Sequence, residues 1–275
     1  MTRRTVAFLG GGNMGEALIG GLIRSGGRTP EEIMVTCRRD ERARELGGKY
    51  GIAATLDNSA AARWASTLVL MAKPQDMETL LAQIRPHVTP DELVISFAAG
   101  IRTSFVEKHL PEEVPVVRVM SNVPVMVDEA MSVVTAGRFA TDEHLGRAEE
   151  LLGYVGKVLR LEETHLDAVT ATSGSGPAYF FLLAEAMIEA CILLGLSRDV
   201  ATELIIQTML GSAKMLRDTG KHPVELREMV TSPGGTTIEA IRHLEEAGVR
   251  AAFLNAIDAA KKRSEELAQG GDEDD

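Results

Sequence analysis

Short apolar runs rich in β-branched residues recur between Thr5 and Leu161, and stretches with helical spacing separate them. The runs fall at 5–9, 33–37, 52–54, 67–72, 93–98, 116–120, 131–135 and 157–161. Continuous apolar runs of this length, broken by Gly, Pro, Asn and Asp, predict strands buried on both faces. Strands alternating with helices predict an α/β Rossmann-type domain with a mainly parallel, doubly wound sheet. From Glu163 onward only the helical period remains. The chain therefore divides into an N-terminal domain (1–162), an all-α C-terminal domain (163–269) and an acidic tail (270–275) without a folding pattern.

The second half predicts helices at 178–194, 198–217, 223–229, 238–247 and 250–269. Ser173-Gly174-Ser175-Gly176-Pro177 reads as a break, with Pro177 as a first-turn proline. Ser197 is placed to cap the second helix, and Gly220 follows its end. The first helix is apolar nearly all round, and such a helix is buried on every face. A helical domain of this size is small to bury it alone, so a subunit interface is expected there. Glu185 and Glu189 sit centrally in the same stretch and argue against a membrane span.

The first run ends in Gly10-Gly11-Gly12-Asn13-Met14-Gly15. Gly10, Gly12 and Gly15 match G-x-G-x-x-G between a strand and a helix, the context that a dinucleotide-binding turn requires. Gly10 permits the tight turn, Gly12 lets a pyrophosphate approach the backbone, and Gly15 lets helix and strand pack closely. The N–H groups and dipole at the helix start favour phosphate.

Beyond the second run stand Arg38 and Arg39, where an acidic residue would select a ribose 2′-hydroxyl. Guanidinium binds phosphate as a fork, so the pair favours NADPH, with NADH also possible. The competing interpretation is a solvated helix start, capped and partly neutralised by Asp40. In a doubly wound sheet ligands lie beyond the carboxyl ends of the strands, which singles out Lys73, Ala99, Gly100 and Asn122.

Ser232-Pro233-Gly234-Gly235-Thr236-Thr237 also admits two readings. Thr236 and Glu239 have the spacing of a capping box. Alternatively, the glycine amides, three hydroxyls and a helix start form a site for a small carboxylate.

Composition and charge narrow the partners. The chain is 45% hydrophobic and 25% charged, an ordinary globular balance. Its net charge of -11 argues against nucleic-acid and anionic-membrane partners. Cys37 and Cys191 lie far apart, and neither they nor the six histidines have a metal-ligand spacing, so no metal is expected. Unpaired cysteines and the lack of a signal-peptide pattern predict a cytoplasmic protein.

Six motifs together resemble pyrroline-5-carboxylate reductase over nearly the whole chain. They are the glycine turn, Lys73-Pro74, Ala98-Ala99-Gly100, 118–124, Gly174-Ser175-Gly176-Pro177-Ala178-Tyr179 and 232–237. The last two, at this separation, are the most specific. Many members read Met-Pro-Asn-Thr-Pro where this chain has Met120-Ser121-Asn122-Val123-Pro124, so any hydroxyl role at position 123 is lost.

The resemblance implies hydride transfer from NADPH to the imine carbon of 1-pyrroline-5-carboxylate, giving L-proline, the last step of proline biosynthesis. It also implies a homodimer through the C-terminal helices, often assembled into a decamer. Cofactor contacts carry over to Leu9, Gly10, Gly11, Gly12, Asn13, Met14, Arg38, Arg39, Asn58, Met71, Ala72, Lys73, Pro74, Phe97, Ala98, Ala99 and Asn122. The substrate carboxylate falls on Ser232, Gly234, Gly235, Thr236 and Thr237, with Thr237 as the catalytic hydroxyl near the ring nitrogen. The 3-hydroxyacid dehydrogenases share the layout but need a helical lysine, and none occurs between Glu163 and Ser212. A regulatory nucleotide-binding protein would not need an intact 232–237 loop.

Overall fold

The computed structural model describes residues 4–269; the chain start and the acidic tail 270–275 lie outside the described residues. Two compact units form. One comprises 4–175 with 260–269, the other 176–259.

The first unit is built on an eight-stranded sheet in the order β3-β2-β1-β4-β5-β6-β7-β8. The strands are β1 (Val6–Leu9), β2 (Ile33–Thr36), β3 (Ala53–Thr55), β4 (Thr67–Leu70), β5 (Leu93–Ser96), β6 (Val116–Met120), β7 (Ala130–Ala136) and β8 (Gly156–Arg160). Strands β1 to β6 pair in parallel. β7 runs antiparallel to β6, because the short 121–129 link is no crossover, and β8 returns parallel to β7. Helices α1 (Asn13–Arg24), α2 (Asp40–Tyr50), α3 (Asn58–Trp64), α4 (Met77–Ile84), α5 (Thr103–His109) and α6 (Asp142–Gly153) connect the strands.

Side chains alternate along β1, so Val6 and Phe8 enter one apolar layer while Ala7 and Leu9 enter the other. Ile19, Leu22, Val35 and Leu46 fill the first layer; Leu70, Leu81, Ile84 and Val106 fill the second. Both faces of the sheet are covered, as a parallel sheet requires. The order places β1 between β2 and β4, where the winding reverses and ligands bind.

Helical structure then runs from Glu163 to Leu193 with a bend at Ser175. It takes in α7 (Leu166–Val169), a π-turn (Thr170–Gly174) and α8 (Gly176–Leu193). The expected break at Ser173–Pro177 takes the form of a π-turn and a bend, closed by Ser175 N–H donating to the Thr170 carbonyl at 2.8 Å, and Pro177 stands in the first turn of α8 as expected. Pro177 has no N–H for the Ser173 carbonyl four residues back. Asn122 supplies a donor instead, its Nδ2 lying 3.0 Å from that oxygen.

Glu163, at the start of the run, accepts from Thr103 N–H and Arg118 Nη1, each at 2.9 Å, and from Thr103 Oγ1 at 2.8 Å. Burial pushes this carboxyl up, but those donors outweigh burial and hold it below the usual range.

The second unit contains α8, α9 (Arg198–Thr219), α10 (Pro223–Met229), α11 (Thr236–Glu246) and the first part of α12 (Val249–Gln269). The Ser197 hydroxyl accepts from Val200 N–H at 3.4 Å, and Gly220 takes the left-handed conformation (φ 64°) that ends α9. The run containing α8 is long and apolar enough to cross a membrane by length and composition. Large apolar side chains of α8 stay exposed among the described residues: Phe181 is 65% and Leu193 89% exposed.

Candidate active site

The glycine turn is fixed by close approach at three points. Gly10 has φ 127°, and a Cβ there would stand 3.0 Å from the Met71 carbonyl oxygen. A Cβ on Gly15 would stand 2.5 Å from the Gly10 carbonyl oxygen, so the first turn of α1 packs directly on the strand end. Gly11 meets a third wall, Cys37 Sγ, 2.5 Å from its would-be Cβ. Burial pushes that thiol's pKa up, keeping it a neutral packing group. Gly12 is different: nothing lies within 4 Å of its would-be Cβ. The backbone there is open to an incoming pyrophosphate, and Gly12 is the N-cap of α1 with no side-chain cap bond. Gly10 and Gly11 N–H already donate to the Phe8 and Thr36 carbonyls, while the first intrahelical bond, Glu16 N–H to Gly12 C=O, leaves the amides from Gly12 to Met14 for a ligand.

A brace that the motif does not contain holds this turn from α2. Arg42 Nε donates to the Gly11 carbonyl at 3.0 Å, and its other end pairs with Glu16. Glu16 also accepts from Lys49 Nζ at 2.7 Å and from the Tyr50 hydroxyl at 3.1 Å. The Lys49 bond foremost, then the Arg42 bond, lowers the Glu16 pKa to about 2. Only a scattered set of charges in two helices signals this cluster in the sequence.

The other sequence-selected residues of this unit collect at the carboxyl edge of the sheet. Arg38 and Arg39 follow β2 and are exposed; Arg38 Nη1 reaches Asp76 Oδ2, beyond β4, at 3.2 Å. Arg39 is the N-cap of α2 and Asp40 its first residue, paired with Arg44, so the expected Asp40 cap does not form. Met71 and Ala72 are half-buried at the end of β4, with Lys73 and Pro74 exposed beside them. Phe97, Ala98 and Ala99 follow β5, and only Ala99 is exposed. Asn58 opens α3 and donates to Gln83 Oε1 at 2.7 Å.

Asn122 follows β6 but is buried. Its Oδ1 accepts from Met131 N–H at 2.9 Å while its Nδ2 serves Ser173. Its side chain thus positions backbone at this edge.

In the second unit, Ser232–Gly235 is a tight turn: Gly235 N–H donates to the Ser232 carbonyl at 3.1 Å, and Gly234 has φ 68°. Pro followed by a positive-φ glycine suits the centre of such a turn. A Cβ on Gly235 would collide with Ser232 Oγ. The expected Thr236–Glu239 capping box does not form. Gly235 is the extended N-cap (ψ 175°) with no side-chain cap bond, so α11 begins one residue too early for Thr236 to cap it. Glu239 pairs with Arg242 instead. Thr237, half-buried, lies in the first turn of α11; Ser232, Gly234 and Thr236 are exposed. Among the described residues no group of three His, Cys, Asp or Glu gathers as metal ligands.

Known proteins share this arrangement along the whole chain. A protein of Corynebacterium melassecola named pyrroline-5-carboxylate reductase is 46% identical, covering 96% of this chain and 99% of that protein. The chain belongs to the pyrroline-5-carboxylate reductase family. The model for pyrroline-5-carboxylate reductase dimerisation matches residues 163–267, and that for coenzyme F420-dependent NADP oxidoreductases matches 5–100. The solved pyrroline-5-carboxylate reductase of Coxiella burnetii is 37% identical, with a TM-score of 0.90 over 98% of this chain and 99% of that one. The Plasmodium falciparum pyrroline carboxylate reductase, solved with NADP bound, is 26% identical, with a TM-score of 0.87 over 98% of this chain and 99% of that one.

Proposed function

We propose that the protein reduces 1-pyrroline-5-carboxylate to L-proline, the last step of proline biosynthesis, with NADPH as hydride donor. The open backbone at Gly12, between the closely packed Gly10 and Gly15, carries this reading, because it leaves room for a pyrophosphate on the start of α1. NADPH supplies a hydride to the imine carbon, and a proton reaches the ring nitrogen. The amides from Gly12 to Met14 hold the pyrophosphate, and Arg38 and Arg39 hold the 2′-phosphate. Strand-end residues Met71 to Pro74 and Phe97 to Ala99, with Asn58, line the cofactor site.

The Ser232 hydroxyl and the first-turn amides of α11 hold the substrate carboxylate. Thr237 donates a hydrogen bond to the ring nitrogen and relays its proton from water. An imine so polarised accepts hydride without a strong base, and the rate then rests on near-attack geometry.

The working form is a homodimer through the C-terminal helices, with a decamer as the larger assembly. The uncovered apolar side chains of α8 and the dimerisation match at 163–267 support the dimer. Free Cys37 and Cys191, with Glu185 and Glu189 within the apolar helix, support a cytoplasmic enzyme.

The test mixes the full chain, NADPH and 1-pyrroline-5-carboxylate and follows absorbance of the reduced cofactor. Substrate-dependent loss with matching formation of L-proline is expected. No such loss overturns the reading.

A further inference from the structure

The amino ends of β1 and β4, the edge opposite the glycine turn, border a cavity of about 250 Å³. Arg4, Arg28 and Arg147 line it together with Glu143 and Glu150. Arg28 enters from the segment after α1, and its side chain is only 8% exposed. Its Nη1 donates to the Gly27 carbonyl at 2.6 Å and lies 3.3 Å from Glu150 Oε1. Its Nε is fully buried and donates to nothing among the described residues.

Arg147 enters from α6, with Nη2 at 2.9 Å from both the Ser66 carbonyl and the Thr67 hydroxyl. Burial lowers its pKa and the like charge of Arg28 adds to that effect, while Glu143 and Glu150 oppose it. Glu150 is shared between Arg4 and Arg28, so one carboxylate serves two guanidiniums. Three guanidiniums thus face two carboxylates around the cavity, and the N–H at Arg28 Nε has no acceptor among the described residues.

A buried guanidinium N–H without an acceptor is costly, and a charged acceptor is its best partner. At about 250 Å³ the cavity lies below the roughly 300–1,000 Å³ of drug-sized ligand pockets and suits a small group. We propose that this cavity binds a small oxyanion, a carboxylate or phosphate group held between Arg28 and Arg147. None of these residues belongs to the glycine turn or to the 232–237 loop, so the site is separate from both.

Calorimetry on the full chain, saturated with NADPH to fill the cofactor's phosphate sites, tests this. Inorganic phosphate and acetate are titrated separately against ionic-strength-matched chloride, and a Ser232→Ala variant checks that acetate is not read from the substrate loop. Saturable binding of either anion is expected, weakened at least about tenfold in Arg28→Gln and in Arg147→Gln. Glu150→Gln, which releases Arg28 from its carboxylate, is expected to tighten binding several-fold. If Arg28→Gln does not fold, the other two variants decide. Binding of phosphate alone or acetate alone supports the site and names its ligand group. No saturable binding above chloride, equal affinity in Arg147→Gln, or unchanged or weaker binding in Glu150→Gln overturns it.

Discussion

Asn122 Nδ2 and the Ser173 carbonyl oxygen lie 3.0 Å apart, joining the end of β6 to the π-turn that leads into α8. Pro177 cannot serve that carbonyl. Asn122→Ala therefore leaves the half-buried Ser173 carbonyl and Met131 N–H without these partners, at about 1 kcal/mol each. Pro177→Ala restores a backbone donor and should offset part of the loss. A double-mutant cycle by denaturant unfolding should give a coupling near 1 kcal/mol. Strict additivity would show that the proline and the asparagine act independently.

Arg38 and Arg39 are expected to set cofactor preference. Charge-assisted bonds to phosphate contribute about 1.5–3 kcal/mol each, so Arg38→Ala or Arg39→Ala should raise the KM for NADPH roughly tenfold or more. The KM for NADH should stay unchanged. Steady-state kinetics with both cofactors checks this, and equal shifts for both would reduce the pair to surface charge.

Thr237→Ala should lower turnover by about 100-fold, the lower range for loss of a positioned proton donor. NADPH affinity should be unchanged, and Thr237→Ser should restore most of the rate. Unaltered turnover in the alanine variant would remove this hydroxyl from the mechanism.

Glu16 makes acid stability a readout of the brace on the glycine turn. Its pKa is depressed from 4.5 to about 2, so its stabilisation is complete above the unfolded value and is lost as pH falls from there through the folded one. The stability gap between the parent and Glu16→Gln should be constant from neutral pH to about 5 and shrink below that. Denaturant midpoints across this range decide it; parallel curves would mean the carboxyl is not held down.

Local chemistry made much of this molecule legible. Continuous apolar runs and strand-end glycines carry the sheet, because a parallel strand must be apolar on both faces. Gly10 and Gly15 could be read because close backbone approach admits no other residue. The Ser173–Pro177 segment was legible in part: its glycines and proline mark the start of α8, while Asn122, distant in sequence, satisfies the orphaned carbonyl. Thr236, by contrast, misled. The spacing of a capping box was present, but Gly234 and Gly235 let the backbone enter α11 before it. The Arg42–Glu16 brace and the Arg28–Arg147 cavity join charges from separate elements, and no local pattern announces such tertiary pairs.

The last turns of α12 return to the nucleotide-binding unit. There Ser264 Oγ donates to Asp167 Oδ1 at 2.6 Å, Ala268 is buried, and the Leu267 backbone packs over Gly100. All of 176–259 is threaded between the two parts of that unit. A chain growing from its N-terminus can form the sheet early but cannot close this unit until 260–269 have been made. Synthesis order thus ties completion of this unit to the arrival of the last turns of α12, and a chain truncated before Ala260 would carry its glycine turn on an unfinished fold.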